Sequence, residues 1–273
     1  MDDGWFVGVD SEDGAARIQS GSADEPRAWP DLAVEAGFAP DTDAYYEQLH
    51  DAAIAAAERA VRSRERSDDQ QLIHAVRAMD DVRQHANELA ERVAEWAGSR
   101  DDQPGTGVEY ARTVAGRERS DPLDERVGTL AERVVDLDDE ADALRQYVER
   151  TAPEVAPNLS MLAGPVLAAR LIALAGGLEA LAKKPSGTVQ LLGAEDALFA
   201  HLQGGAPSPK HGVIYTHEYV RNTDPDERGS AARALAGKLT IAARIDHYSG
   251  DRRPDLAREL DERIERIRAR DAS

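Results

Sequence analysis

Three histidines, His201, His211 and His217, lie within one stretch of the chain and are its first candidates for chemistry. A zinc site would need them on one face with a fourth ligand. No H-x-x-x-H pair occurs, and no acid completes such a set. Gly176-Gly177 followed by Lys183-Lys184 lacks the spacing of a phosphate-binding G-x-x-x-x-G-K-[ST] loop. There is no G-x-S-x-G element, no dinucleotide fingerprint and no cysteine. The residues therefore argue against an enzyme and against a metal or cofactor of the chain's own.

Cationic donors form the second candidate set: Lys183, Lys184, Lys210, Arg221, Arg228, Arg233, Lys238 and Arg244, with the His211 ring among them. All four lysines of the protein are in this group. Arg228-Gly229 stands where a helix is predicted to begin, and a helix N-terminus offers free N–H groups to phosphate. Lys210-His211-Gly212 adds a cation and a ring able to stack on a base. Two readings stay open, a surface for nucleic acid and a solvated face with internal ion pairs.

Charge sharpens the contrast. The 273 residues carry 52 acids and 33 bases, a net charge of −19. Residues 1–150 hold 36 acids and 17 bases, whereas residues 151–273 hold 16 of each. A neutral half in an acidic chain fits either an anionic partner or a more buried domain. The bases are 29 Arg against 4 Lys. That usage resembles proteins of salt-loving archaea, where at about 1 M salt the screening length is roughly 3 Å. No run of about 18 apolar residues is present, so no transmembrane helix is expected. The acidic start lacks the basic region of a signal peptide, which implies a cytoplasmic protein.

The elements that must position these residues fall into four segments. Residues 1–42 read as a reduced α/β segment, with short strands at 5–10 and 15–19 joined by a turn, then a Ser/Asp/Pro linker. Residues 43–157 read as helical, with starts at Thr42, Asp68 and Asp121-Pro122. Ala75, Met79, Val82, Ala86, Leu89, Val93 and Trp96 alternate in steps of four and three. So do Leu123, Val127, Leu130, Val134, Leu137, Ala141, Leu144 and Val148. Both patterns are coiled-coil seams. A Gly/Pro-containing reversal between them predicts a long antiparallel hairpin, a spacer or dimerisation arm, with a compact bundle as the alternative. Pro153 and Pro157 are expected to break the helix. Residues 158–250 turn rich in Ala, Leu and Gly, with a buried helix or helix pair over 159–181. Further helices are read at 194–202 and 229–248. Residues 251–273 form a charged, Arg-rich tail expected to fray.

At these residues the chain resembles the Nop family of box C/D guide ribonucleoproteins. The resemblance rests on LAGPVLAARLIALAGGLEALAKKPSGTVQLLGAEDALF (162–199), PKHGVIYTHEYV (209–220) and RGSAARALAGKLTIAARID (228–246), with the helix at 68–96 upstream. It implies a mainly α protein, a coiled-coil hairpin followed by an all-α Nop domain. It also implies a scaffold and not a catalyst. The arm would pair two copies into a homodimer through Met79, Val82, Leu89, Val93, Leu130, Val134, Leu137 and Leu144. The Nop domain would clamp a kink-turn guide RNA together with a small ribosomal-protein-like partner. The N-terminal segment, around Trp5, Phe6, Trp29 and Phe38, would hold fibrillarin. That enzyme uses S-adenosylmethionine to methylate ribose 2′-hydroxyls in rRNA and tRNA.

Site residues carry over one by one. Gly193, Ala194 and Glu195 match the family's GAE turn. Ala197, Leu198 and Phe199, with His201 behind them, match an apolar wedge at the end of a guide–target duplex. Pro209, Lys210, His211 and Gly212 match the loop near the kink-turn. Arg228, Gly229, Arg233, Lys238 and Arg244 match the basic helix. Asp196, Ala200, Gln203 and Ser230 stand where the family usually has positive or commonly basic residues. In molar salt phosphate contacts add little, so stacking and apolar burial are expected to take over. The other functional class, a helical dimeric interaction protein without RNA, predicts no preference for kinked RNA. A hydrolase built on the histidines predicts bound metal.

Overall fold

The computed structural model describes residues 4–8, 11–22 and 25–269. Every regular element among them is helical. The chain divides into two compact units, residues 1–67 and 68–273.

The first unit holds α1 (Ser11–Ser20), α2 (Trp29–Glu35) and α3 (Thr42–Glu65). The two expected strands are not there. Residues 5–8 form a turn closed by Val7 N–H to Gly4 O at 3.2 Å, and Gly8 takes φ +66°. Residues 15–19 lie within α1, while Val9 and Asp10 fall outside the described residues. A two-stranded hairpin is marginal unless a further strand or a helix covers it. The aromatic residues form a cluster instead. Phe6 and Tyr45 are buried with Ala33 and Ala39, and Trp5, Trp29 and Phe38 pack half-buried around them. The Trp5 indole donates to the Tyr45 hydroxyl at 3.2 Å. α3 starts where Asp41 accepts the Ala44 N–H at 2.8 Å, a side-chain cap one residue before the expected start.

The second unit opens with α4 (Asp68–Gly98), α5 (Gly107–Ala115) and α6 (Pro122–Val155). Asp121 caps α6 by accepting the Leu123 and Asp124 N–H groups, and Pro122 stands at its first turn. α4 and α6 pack antiparallel. Leu72, Ile73, Val76 and Met79 share a core with Val148 and Ala152, whereas Ala90, Val93 and Ala97 share one with Val127, Ala131 and Val134. The reversal holds more than a loop, because α5 buries Tyr110, Ala111 and Val114 into that second core.

The seams differ from expectation by one residue in every second position. In α4 the face toward α6 is Leu72, Val76, Met79, Ala86, Ala90, Val93 and Ala97, all buried. Arg83 fills the missing step of this series and bonds Asp138 and Asp142 of α6. Val82 and Leu89 are only half-buried, and Trp96 is exposed. In α6 the buried series is Val127, Ala131, Val134, Asp138, Ala141, Val148 and Ala152. Leu130, Leu137 and Leu144 are half-buried beside it. Pro153 does not break the helix. It sits in the last turn, and α6 runs two residues further to Val155. Pro157 does act as expected, at the first position of the next helix.

Seven helices follow: α7 (Pro157–Ala163), α8 (Pro165–Ala175), α9 (Leu178–Lys183), α10 (Ser186–Leu191), α11 (Glu195–Leu202), α12 (Glu218–Arg221) and α13 (Arg228–Tyr248). A 3-10 turn covers Val213–Thr216. The apolar run at 159–181 is three helices, split at Gly164 (φ +76°) and at Gly176-Gly177 (φ +89° and +133°), where only glycine rests without strain. α13 is the central strut, with Ala231, Ala232, Leu235, Ala236, Leu239, Ala242 and Ala243 buried. Asp246 near its end accepts the Asn158 and Leu159 N–H groups at 3.0 and 2.8 Å, so it caps α7.

The tail is ordered into α14 (Asp255–Arg268). Leu256, Leu260, Ile264 and Ile267, at helical spacing, are buried in the main core. Tyr219 donates to Asp261, and Arg268 reaches the Thr223 hydroxyl at 3.2 Å and Glu218 O at 3.1 Å. The fraying expected from its charge is outweighed by this apolar stripe. No single helix among the described residues is long and apolar enough to cross a membrane.

Candidate nucleic-acid interface

Two short segments meet at the centre of the site. The Gly212 N–H donates to Gln190 O at 2.8 Å and the Val213 N–H to Leu192 O at 2.7 Å. The Gln190 amide adds a bond to Lys210 O at 2.6 Å. This approach requires glycine at 212, where a Cβ would stand 2.0 Å from Leu192 O. Gly193 turns the chain into α11 with φ +79°, and its N–H donates to the Glu195 carboxylate at 2.9 Å. Glu195 therefore holds its own turn and sits at the positive end of α11.

His211 stacks on Tyr215 with ring centroids 4.6 Å apart and 20° between planes. The Arg228 guanidinium lies 5.6 Å from the same tyrosine ring. It is anchored by Nε donating to Thr223 O at 3.0 Å. Burial first, then the Arg228 charge, holds the His211 ring below the usual histidine range. Its own backbone hydrogen bond opposes this and Lys210 adds to it. His211 is thus neutral near pH 7, a stacking and hydrogen-bonding group and not a cation. Lys210 reaches toward the start of α13, its stem 3.9 Å from where a Gly229 Cβ would be. The GAE turn, the Lys210–Gly212 loop and Arg228 are therefore brought together.

α11 projects from this site with no buried residue. Phe199 is 64% exposed and Leu202 75%. Ala197 is exposed and Leu198 half-buried. Such apolar exposure at adjoining positions is what a docking wedge requires. His201 faces the other way, its Nδ1 2.9 Å from Ala206 O, and closes the following loop.

The remaining basic residues separate. Lys238 is paired with Glu259 of α14. Arg244 donates to Ala182 O at 3.0 Å and caps the end of α9. Arg233 stays exposed and lines a groove of about 460 Å³ between α13 and α14 with Ser230, Lys238, Ile241 and Arg263. Arg263, from the charged tail, was not among the expected basic residues. The four-and-three apolar spacing of α14 was the signal that could have placed it. The histidines share no metal site: among the described residues no group of three or more His, Asp or Glu could hold an ion. His217 donates from Nε2 to Leu162 O at 3.0 Å and accepts the Tyr219 N–H on Nδ1 at 3.1 Å, so it caps α12 as a neutral ring.

Of the residues expected in a dimer interface, Met79, Val93 and Val134 are buried inside the helix pair. They serve the fold of one chain. Val82, Leu89, Leu130, Leu137 and Leu144 are half-buried at its margins. Phe6 is likewise core and not surface.

A second groove, of about 620 Å³, runs beside the site and is lined by Val76, Asp80, Arg170, Leu174, Gly193 and Tyr215. Arg170 of α8 forms an ion pair with Asp80 of α4 there, and Arg77 of α4 donates to Ala173 O at 3.3 Å. Asp69 of α4 caps α9 through the Leu178 N–H at 3.0 Å. The helix pair is thus tied to the domain that carries the site.

Residues 63–269 match the family described as Nop, snoRNA binding domain, fibrillarin. An uncharacterised NOP5 family protein of Methanocaldococcus jannaschii is 34% identical over 271 residues, covering 86% of this chain and 66% of its own length. Nucleolar protein 56 of Saccharomyces cerevisiae is 41% identical over 142 residues, 52% of this chain and 28% of that protein. The chain thus spans about two thirds of the archaeal relative and less than a third of the yeast one. Among solved structures, a fibrillarin/Nop5p complex contains a chain with TM-score 0.55 and 25% identity, covering 97% of this chain and 98% of that one. With the matched residues running through the helix pair, the GAE turn and α13, the chain belongs to the Nop family.

Proposed function

We propose that this chain is a non-catalytic scaffold of a box C/D guide ribonucleoprotein. It binds kink-turn RNA together with a small ribosomal-protein-like partner and holds fibrillarin in register with its target ribose. The observation that carries this reading is the convergence of three features: the Gly193–Glu195 turn, the Lys210–Gly212 loop with its His211–Tyr215–Arg228 stack, and the exposed Phe199–Leu202 wedge. Together they offer a polar surface that can grip a backbone and an apolar one that can end a base stack.

In this reading the chain supplies positioning, which lowers a barrier by removing translational and rotational search. S-adenosylmethionine belongs to the fibrillarin partner. The helix pair spaces and joins two copies, using the half-buried margin at Val82, Leu89, Leu130, Leu137 and Leu144. The neutral His211 ring and the few uncommitted cations suit molar salt, where each phosphate contact loses strength.

The test is a gel shift at about 1 M salt, a concentration at which the screening length is roughly 3 Å. The RNA is a box C/D kink-turn preloaded with its ribosomal-like partner. A supershift on preloaded RNA, absent on bare or unkinked RNA, is the expected result. A folded protein that discriminates none of these would overturn the RNA role and leave a helical interaction protein.

A further inference from the structure

We infer that the C-terminal helix α14 positions the Arg228 guanidinium through Thr223, which makes Arg268 a positioning residue of the site. Thr223 is 2% exposed, and its polar groups go to three elements. Its hydroxyl donates to Tyr219 O of α12 at 2.7 Å and accepts Nε of Arg268, 45 positions away in α14, at 3.2 Å. Its carbonyl accepts Nε of Arg228, at the start of α13, at 3.0 Å. Arg268 also donates from Nη2 to Glu218 O at 3.1 Å, and its guanidinium lies 5.9 Å from the Tyr219 ring. α12 is four residues long, too short to hold its own geometry. Its C-terminal end therefore depends on Arg268, and α14 is itself seated by the buried stripe of Leu256, Leu260, Ile264 and Ile267.

The bond to Thr223 O uses one N–H of Arg228, and among the described residues no hydrogen bond or ion pair takes the others. The guanidinium stands 5.6 Å from the Tyr215 ring, which stacks on His211. A guanidinium pinned at Nε keeps its terminal fork in one plane, ready to give two parallel bonds to a phosphate. Thr223 O thus decides where that fork points, and α14 decides where Thr223 sits. The coupling is a contiguous set of bonds from Arg268 to the His211 stack, with every link a measured contact. Its consequence for RNA rests on the function proposed above; the coupling between the helices does not.

The experiment uses the full chain and reads Arg228 through its neighbour. The Tyr215 ring, the Arg228 guanidinium and Lys210 face His211, and after burial the Arg228 charge is a cause of that ring's lowered pKa. The His211 titration is followed by NMR on its Cε1 proton, assigned by its loss in His211→Gln. Arg268→Ala is expected to raise the His211 pKa toward the usual histidine range, as Arg228→Ala does, and the two together to do no more than Arg228→Ala alone. Thr223→Val removes the hydroxyl that Arg268 reaches, keeps the carbonyl, and should act in the same direction. Glu259→Ala breaks a different tie of α14, to Lys238, and should leave the titration unchanged. A pKa unmoved by Arg268→Ala, moved equally with and without Arg228, or moved as far by Glu259→Ala would overturn the coupling. In gel shifts on preloaded guide RNA, Arg228→Ala and Arg268→Ala should each weaken binding several-fold, and the double variant no further. Wild-type binding by Arg228→Ala, with His211 still reporting the coupling, would instead overturn the RNA role of Arg228.

Discussion

Arg83 of α4 and Asp138 of α6 face each other at the centre of the helix pair, each at a step where the buried seam would otherwise carry an apolar residue. Asp138 is 7% exposed and is shared with Arg112 of α5 at 2.7 Å. Arg112 also bonds Asp139 at 2.6 Å, and Arg83 bonds Asp142. Three helices are thereby tied by one carboxylate. The Arg112 guanidinium is pushed above its ordinary range by these carboxylate hydrogen bonds. Buried pairs of this kind can specify register more than they add stability.

Removing the shared carboxylate leaves two guanidinium groups facing a seam. Asp138→Ala is expected to destabilise the second unit by about 2 kcal/mol, below the value for a fully buried pair because both arginines keep some contact with water. Asp138→Leu, which replaces the charge with apolar volume, is expected to lose register specificity as well. Urea unfolding of both variants, with Arg83→Leu/Asp138→Leu as the paired control, measures it. A double variant no more stable than Asp138→Leu would refute the coupling.

Gly212 is the tightest backbone approach in the site. Gly212→Ala places a methyl group against Leu192 O and should cost roughly 2 kcal/mol or more, with the two segments forced apart. RNA binding is expected to fall further than stability does, since the Lys210–His211 loop loses its anchor. Thermal unfolding and gel shift on the same preparation separate the two. Unchanged binding would mean that the loop geometry is not used.

Phe199 and Leu202 separate function from fold in the opposite sense. Both are exposed, so Phe199→Ala and Leu202→Ala should change stability by less than about 0.5 kcal/mol. Binding to preloaded guide RNA, or methylation by the reconstituted particle, should drop at least tenfold for the pair. Wild-type activity in the double variant would remove α11 from the interface.

Burial holds the His217 ring below the usual histidine range, partly offset by its bond to Leu162 O and by Glu218. The folded ring therefore resists a proton that the unfolded chain accepts near pH 6.5. Its contribution is fully present above that pH and is lost as pH falls from about 6.5 toward the lower folded value. His217→Asn, which keeps a capping oxygen for α12, should unfold with a urea midpoint less dependent on pH between about 7.5 and 5.5 than wild type. Equal pH dependence would assign the acid sensitivity elsewhere.

Arg233 and Arg263 line one groove and have no carboxylate bond among the described residues, whereas Lys238 is already held by Glu259. If the groove carries RNA backbone, each Arg→Ala should lower the salt slope of binding by about 1, and Lys238→Ala should lower it less. Titrations from low to high salt give the slopes directly. A larger effect from Lys238 would reverse the assignment.

Much of this protein is written locally. Asp121-Pro122 starts α6, Gly164 and Gly176-Gly177 divide an apolar run, and Arg228 opens α13, because caps and backbone freedom act within a few residues. The GAE and KHG segments were singled out as a joint site only through the family resemblance; what the structure adds is that Gly193 takes a positive φ at its turn and Gly212 sits where a Cβ would meet Leu192 O. Other outcomes depend on partners far along the chain. Apolarity alone placed Val82 and Leu137 in the seams. Only the meeting of Arg83 with Asp138, 55 positions apart, moved the true seams by one residue. Residues 5–10 and 15–19 read locally as strands, but among the described residues there is no strand for either to pair with, and 15–19 lie in a helix. Lys238 looked available until α14 brought Glu259 to it, and Arg263 looked irrelevant until the same helix docked. Local sequence sets which elements form and where they stop. Which charges remain free, and which face of each helix is buried, is decided only when distant elements exclude water from between them.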